Sequence, residues 1–248
     1  MEQPEDQSTV ALVEILWSDR VERRRGPRPR LSRDDVVAAA IALADGEGFD
    51  AVTMQRVADA VGAAKMGLYR YVPGKAELAA LMVDHALGAP PAVPDGRWRD
   101  GLRTWATAMR ERMAAHPWTL ELTLGPRVPG PNELAWFEAG LAALRSTPLD
   151  GAQRLDVLAL LTEHVRGSVQ QAARTDRPES ALADALGPVL ARHGEHFPAT
   201  VRAFADAAAT GGRDDAFRFG LDLVVRGVEA LVRDADVGVA PAPTPPAR

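Results

Sequence analysis

The stretch TMQRVADAVGAAKMGLYRY, residues 53–71, reads as a helix, a glycine, a short turn and a second helix. Thr53 is placed to cap a helix over Met54–Val61, with Val57, Ala58 and Val61 turned inward. Gly62 stops that helix, and a short one follows from about Ala64 to Tyr71. The second helix offers Lys65, Met66, Gly67, Tyr69, Arg70 and Tyr71, while Leu68 and Val72 hold it to a core. Two helices joined by a tight turn, the second short and polar on one side, is the helix-turn-helix plan. A B-DNA major groove admits one helix, and the preceding helix braces it across the backbone. A generic helical hairpin has the same outline.

The flanking sequence completes a small helical domain. Ser32 is an N-cap candidate, with Asp34 and Asp35 in the first turn, where the helix end is positive. Val36, Val37, Ala40, Ile41 and Ala44 form a stripe at helical period, closed by Gly46 and Gly48. Pro73-Gly74 is a turn, and Lys75 opens a further helix to Leu87, with Leu78, Leu81, Met82 and His85 on its inner face. Upstream, Arg20 to Arg30 carries six arginines against the single acid Glu22, with Gly26, Pro27 and Pro29 interrupting helix. Arg28 and Arg30 in this arm are candidate minor-groove or phosphate contacts, which favours DNA over the plain hairpin. Before the arm, Val10–Trp17 is an amphipathic helix, and the sequence leaves open whether it packs on the reader, on a partner subunit or on nothing.

Charge supports a local polyanion contact and excludes a protein coated in positive charge. The 248 residues carry 29 basic and 34 acidic side chains, a net charge of −5. Residues 1–19 contribute −5, residues 20–78 contribute +3 and residues 79–248 contribute −3. Only two of the basic residues are lysines, Lys65 and Lys75, and both fall in the basic section. With no cysteine, disulfides, thiolate catalysis and thiolate metal sites are excluded. Charges interrupt every apolar run short of a membrane span, and the first residues lack a signal-peptide pattern, so no membrane partner and a cytoplasmic location are expected.

Beyond Gly88–Gly96, which is rich in Pro and Gly and reads as a linker, the chain stays helical. Helices are expected over Arg97–His116, briefly over Trp118–Leu124, over Asn132–Ser146 with Asn132 as cap, and over Asp150 to about Thr175. One or two more occupy Ser180–Gly211, with breaks near Gly187-Pro188 and Phe197-Pro198, and a last one spans Asp214–Asp236. No run alternates with period two, so strands are not expected. The fold class is therefore all-α: an N-terminal three-helix domain carrying the helix-turn-helix candidate for DNA binding, and a C-terminal helical domain. The expected division is an extension at 1–30, the reader at 31–87, the helical domain at 97–236 and a Pro-rich tail at 237–248.

The segment Leu31–Asp84 resembles the DNA-binding domain of tetracycline-repressor-family (TetR) regulators. The likeness rests on Gly48-Phe49, Val52-Thr53, Val57-Ala58, Val61-Gly62, Leu68-Tyr69-Arg70-Tyr71-Val72 and Gly74-Lys75-Ala76-Glu77-Leu78. Leu16-Trp17 and the Arg-rich segment resemble the front end of one actinobacterial-type branch. The resemblance implies that Thr53, Tyr69 and Lys75 contact phosphates and that Lys65, Met66 and Gly67 face the bases, Lys65 with reach to guanine O6 and N7. It puts Gln55 and Arg56 within range of groove or backbone, and Arg70 and Tyr71 at backbone contacts. Gly67 departs from the family, which usually places Ser or Thr there.

The same resemblance implies an effector pocket after the linker. Trp105, Met109, Met113, Trp118, Trp136, Phe137 and His164 are its candidate lining, suited to an apolar or aromatic molecule, with core packing as the plain alternative. The helices at 150–175 and 214–236 carry apolar residues on more than one face and so must bury more than one. Leu158, Val165, Val169, Val224, Val228 and Leu231 are the candidate contacts of a homodimer, for which the family implies a two-fold four-helix interface. A dimer sets two reading helices about 34–36 Å apart and selects a pseudo-palindromic operator. The expected function is a ligand-responsive repressor. A DNA-binding regulator whose C-terminal half only dimerises or binds a protein partner is the alternative. No Walker motif, nucleophile elbow or GxGxxG is present, so an enzyme and a cofactor are not expected. His193 and His196 lie three apart beside Glu195, but Gly194 and Pro198 break the helix a metal site would need, and no metal is assigned.

Overall fold

A computed structural model describes residues 7–18, 31–93, 96–125, 127–175, 177–210 and 215–236. The regular elements among them are helical. They are α1 (Gln7–Trp17), α2 (Arg33–Glu47), α3 (Met54–Ala60), α4 (Lys65–Leu68), α5 (Lys75–Leu87), α6 (Trp98–Ala115), α7 (Thr119–Leu122), α8 (Pro131–Ala143), α9 (Gly151–Ala172), α10 (Pro178–His193), α11 (Pro198–Ala209) and α12 (Ala216–Asp236). Short 3-10 turns cover Phe49–Ala51 and Gly194–His196. The all-α expectation is met, and no strand occurs among the described residues. The Arg-rich arm, the Pro-rich tail and the first residues of the chain lie outside them.

Packing divides the chain into two units, one of residues 1–93 and 111–142, the other of 94–110 and 143–248. The first unit thus takes in residues 111–142, which the sequence had grouped with the helical domain beyond the linker. Eight hydrogen bonds tie this segment to α2 and α5. The α5 residue Asp84, 8% exposed, accepts hydrogen bonds from the backbone N–H groups of Asn132 (2.8 Å) and Glu133 (3.1 Å). The Asn132 side chain donates to the Asp84 carboxylate (3.1 Å) and to its carbonyl (3.0 Å). In return the Trp136 indole N–H donates to the carbonyls of Leu87 (3.2 Å) and Gly88 (2.9 Å), at the end of α5. Each helix thus supplies hydrogen-bond partners to an end of the other. Finally Asp45, near the end of α2, accepts from His116 (2.8 Å) and from the Trp118 indole (2.7 Å).

Asn132 is therefore not the N-cap expected of it. It sits inside the first turn of α8, and a carboxylate 48 residues away does the capping. That approach requires Gly130, since a Cβ there would lie 2.2 Å from the Asp84 carboxylate. Ser32 does cap α2, in a full capping box with Asp35 whose hydrogen bonds hold the Asp35 carboxyl below its usual range. The packing of α1 is also settled. Its Leu16 is buried, the Trp17 indole donates to the Pro129 carbonyl (3.2 Å), and Arg33 donates to the Ile15 carbonyl (2.8 Å). The amphipathic helix packs on its own reader, against α5.

In the second unit α9 and α12 form the main pair. Val157, Leu158, Leu161, Val165 and Val169 of α9 are buried, as are Leu221, Val225 and Val228 of α12. His164 stacks on Phe217 with ring centroids 5.4 Å apart, and its Nε2–H donates to the Phe217 carbonyl (2.8 Å). A Cβ on Gly220 would stand 2.3 Å from the His164 ring, so glycine admits the close approach. The expected break at Gly187-Pro188 is absent: α10 runs through it. No residue of α10 is buried, so the carbonyl that loses its proline-side donor stays open to water.

Asp84→Ala is expected to lower the unfolding free energy by about 2–3 kcal/mol, because it leaves buried donors of α8 without an acceptor. Gly130→Ala is expected to lower it as well. Urea unfolding followed by tryptophan fluorescence checks both.

Candidate nucleic-acid interface

The reading head is built on a few buried side chains. Met54, Val57 and Ala58 fix α3 from beneath, and Leu68 and Val72, both fully buried, fix α4 and the turn after it. Thr53 caps α3 by accepting from the Arg56 backbone N–H (3.2 Å). Its hydroxyl hydrogen is left to donate, as a phosphate contact needs. At the far end Gly62 has φ +65°, a left-handed conformation that glycine takes without strain, and the Ala63 N–H returns to the Ala58 carbonyl (2.9 Å). That closure turns the chain into α4 within four residues. The α-helical part of the reading helix is shorter than expected, ending at Leu68, with Tyr69–Tyr71 continuing as turn.

Lys65, Met66, Tyr69 and Arg70 are exposed on this head, and Gly67 and Tyr71 are half-buried. Leu68 anchors among them, so the outward residues of the motif share the surface that the core leaves free. Three of the expected contacts are already engaged. Arg56 is paired with Glu47 through both terminal nitrogens, which lowers the Glu47 pKa and raises that of Arg56. Gln55 donates to Asp59 (2.8 Å). Lys75 lies over the Phe49 ring at 4.6 Å, a cation–π contact that holds it at the start of α5. Arg28 and Arg30 lie outside the described residues.

A family profile described as "Bacterial regulatory proteins, tetR family" matches residues 36–82. A second, "Tetracyclin repressor-like, C-terminal domain", matches residues 90–232, more than half of the chain. The chain belongs to the TetR family. The HTH-type transcriptional repressor DrrR1 of Streptomyces coeruleorubidus is 33% identical over 89% of this chain and 85% of its own length. The tetracycline repressor protein class E of Escherichia coli is 28% identical over 81% and 92%. Among solved structures, apo ActR of Streptomyces coelicolor superposes with a TM-score of 0.71 at 27% identity, covering 84% of this chain and all of ActR. ActR in complex with actinorhodin gives 0.71 at 26% identity, over 83% and 98%. This TetR-family chain is thus a transcription regulator and not a member of an enzyme family.

The candidate effector residues of this TetR-family chain divide between its units. Met113, Trp118 and Trp136 are buried and Phe137 exposed in the first; Trp105 and Met109 are buried and His164 half-buried in the second. Trp118 and Trp136 have their indole N–H groups engaged inside the first unit, and the His164 Nε2–H is engaged by Phe217. The second unit also carries an open groove of about 560 Å³ along α10 and α11, lined by Leu190, Arg192, Glu195, Val201 and Arg202 among others. None of the seven candidates lines it. His193 ends α10 while His196 lies in the 3-10 turn, so the two share no helix face. No described helix is long and apolar enough to cross a membrane.

The candidate dimer residues divide by exposure. Leu158, Val165, Val169 and Val228 are buried within the protomer and present no surface to a partner. Val224 is half-buried and Leu231 exposed. The apolar surface left on these helices is Leu155 and Leu160 on α9, and Phe219 (63% exposed), Leu223 and Leu231 on α12. Helical period identified the apolar helices, but the same stripes serve the intramolecular core first.

Sequence reasoning missed Glu47, Asp45 and Asp84. Each is an acid on a helix, ordinary in composition, whose partner is distant in sequence or hidden by a turn. Glu47 has the widest functional consequence, because it neutralises a cation on the DNA-facing head. Glu47→Gln is expected to free Arg56 and steepen the salt dependence of duplex-DNA binding by about one charge. Fluorescence polarisation across a salt series measures it.

Proposed function

We propose that the chain is a homodimeric repressor that reads a pseudo-palindromic operator with one α4 per protomer. A small apolar or aromatic molecule releases it. The carrying observation is the α3–turn–α4 head, in which Leu68 and Val72 are fully buried while Lys65, Met66, Tyr69 and Arg70 stand exposed. In this reading Lys65, Met66 and Gly67 meet base edges. Thr53, Tyr69, Arg70, Tyr71 and Lys75 meet the phosphate backbone, and Gln55 and Arg56 reach groove or backbone. Arg28 and Arg30 add contacts from the arm. Cationic side chains on a chain of net charge −5 confine DNA attraction to this region.

The second unit supports dimerisation. Leu155, Leu160, Phe219, Leu223 and Leu231 are apolar side chains left exposed on α9 and α12 and available to a second copy, with Val224 half-buried next to Leu223. Effector control is supported by the ActR–actinorhodin complex and by the name of the tetracycline repressor relative. The internal geometry suits transmission. Reciprocal capping by Asp84 and Trp136 makes α8 and α5 move together, and α5 begins at Lys75, a phosphate contact in this reading. A molecule that displaces α8 therefore displaces a DNA contact. Met113, Trp118, Trp136 and Phe137 share the unit with the head, which favours them as the coupled part of the effector site.

The test uses full-length protein and duplexes selected by it from a random-sequence library. Lys65→Ala is expected to relax base preference. Lys75→Ala is expected to weaken all duplexes alike and to lower the salt slope by about one. Tyr69→Ala is expected to weaken binding with an unchanged melting temperature. Unaltered binding in all three variants, or selection of no duplex at all, would overturn the reading.

A further inference from the structure

Met66 is the most exposed large apolar side chain among the described residues, at 78%. Its exposed neighbours on the head are Lys65, Tyr69 and Arg70, so it stands in a polar surface rather than in an apolar patch. A thioether chain held in water has no stabilising role in the free protein. Beside it is Gly67, and nothing in the free protein calls for glycine there. Its φ lies outside the left-handed region, and a Cβ built on it would meet no atom within 4 Å. Glycine in a helix costs about 1 kcal/mol relative to alanine. What Gly67 does provide is a stretch of α4 backbone that a partner can approach closely from outside.

The two features have one common explanation. The apolar group that base edges present in the major groove is the C5-methyl of thymine. We propose that Met66 reads a thymine methyl in each operator half-site, and that Gly67 lets the α4 backbone seat closely enough for that contact. The proposal rests on the operator-reading function above and adds to it the base feature recognised. Met66 is flexible and polarisable, so it follows the methyl without the fixed geometry a hydrogen bond demands. Lys65, one residue earlier, supplies the polar part of the reading. The half-site is thus expected to hold a thymine next to or one step from the guanine that Lys65 contacts.

The experiment replaces each thymine of the library-selected duplex in turn by deoxyuridine, which removes the methyl and leaves pairing intact. Wild-type protein should lose about threefold to fivefold in affinity at one thymine per half-site, the worth of one buried methyl. Met66→Ala should bind the unmodified duplex more weakly by a similar factor and be indifferent to deoxyuridine at that position. Gly67→Ala should melt at the same temperature or higher and bind at least about tenfold more weakly, because its new methyl has room in the free protein and none against DNA. If the duplex binds but no thymine methyl matters, or if Met66→Ala keeps the full methyl sensitivity, the thymine contact is overturned. If Gly67→Ala binds as tightly as wild type, the close-approach role is overturned. Failure to select any duplex would instead strike the operator-binding reading itself.

Discussion

The buried carboxylate of Asp84 organises the first unit. It lies on α5, between the DNA-reading head and the linker, and receives the first free N–H groups of α8. A helix N-terminus carries unsatisfied donors and a partial positive charge, so a buried carboxylate there is stabilised by both. Trp136 closes the exchange by donating to the last carbonyls of α5. Both helix ends gain hydrogen-bond partners from the exchange. The surroundings tighten the arrangement: Gly130 yields the space, and Arg127 pairs with Glu133 in the same turn. Burial there pushes the Glu133 carboxyl above its usual range, with Asp84 adding to the shift and Arg127 opposing it. The result is a unit that crosses the linker in sequence but not in packing.

On that support stands a head of very few core residues. The four-residue α4 is too short to be stable through its own hydrogen bonds, so Leu68 and Val72 must hold it. Burying those two fixes which side chains face outward, and those are the ones a nucleic acid can meet. Electrostatics on the head is restrained. Arg56 is neutralised by Glu47, while Lys65, Arg70 and Lys75 keep their charge, Lys75 lying over the Phe49 ring.

The second unit shows how one helical stripe can be read two ways. Leu158, Val165 and Val169 lie at the spacing expected of a contact between helices, and they are buried within the protomer, where α9 packs on α12. The residues with surface left over, such as Phe219 and Leu223, lie on the other side of α12. A period of three and four residues shows that a face is buried and is silent about what buries it.

Much of this protein was legible from residues alone. The all-α class, the capping of α2 by Ser32 and of α3 by Thr53, the turn at Gly62 and the inward Leu68 all follow from local rules. Caps, glycine turns and helical stripes act over a few residues, and their chemistry is written in consecutive positions. The family profile over residues 90–232 adds the helical half, where the sequence motifs are weaker. What only the tertiary structure decided involves partners far apart in the chain. The cap on α8 came from Asp84 rather than Asn132, Trp118 and His116 met at Asp45, and α1 docked through Trp17 on Pro129. A carboxylate on a helix is by itself compatible with solvent, salt bridge or cap. Only the folded chain, by bringing N–H groups within hydrogen-bond distance of it, selects among them.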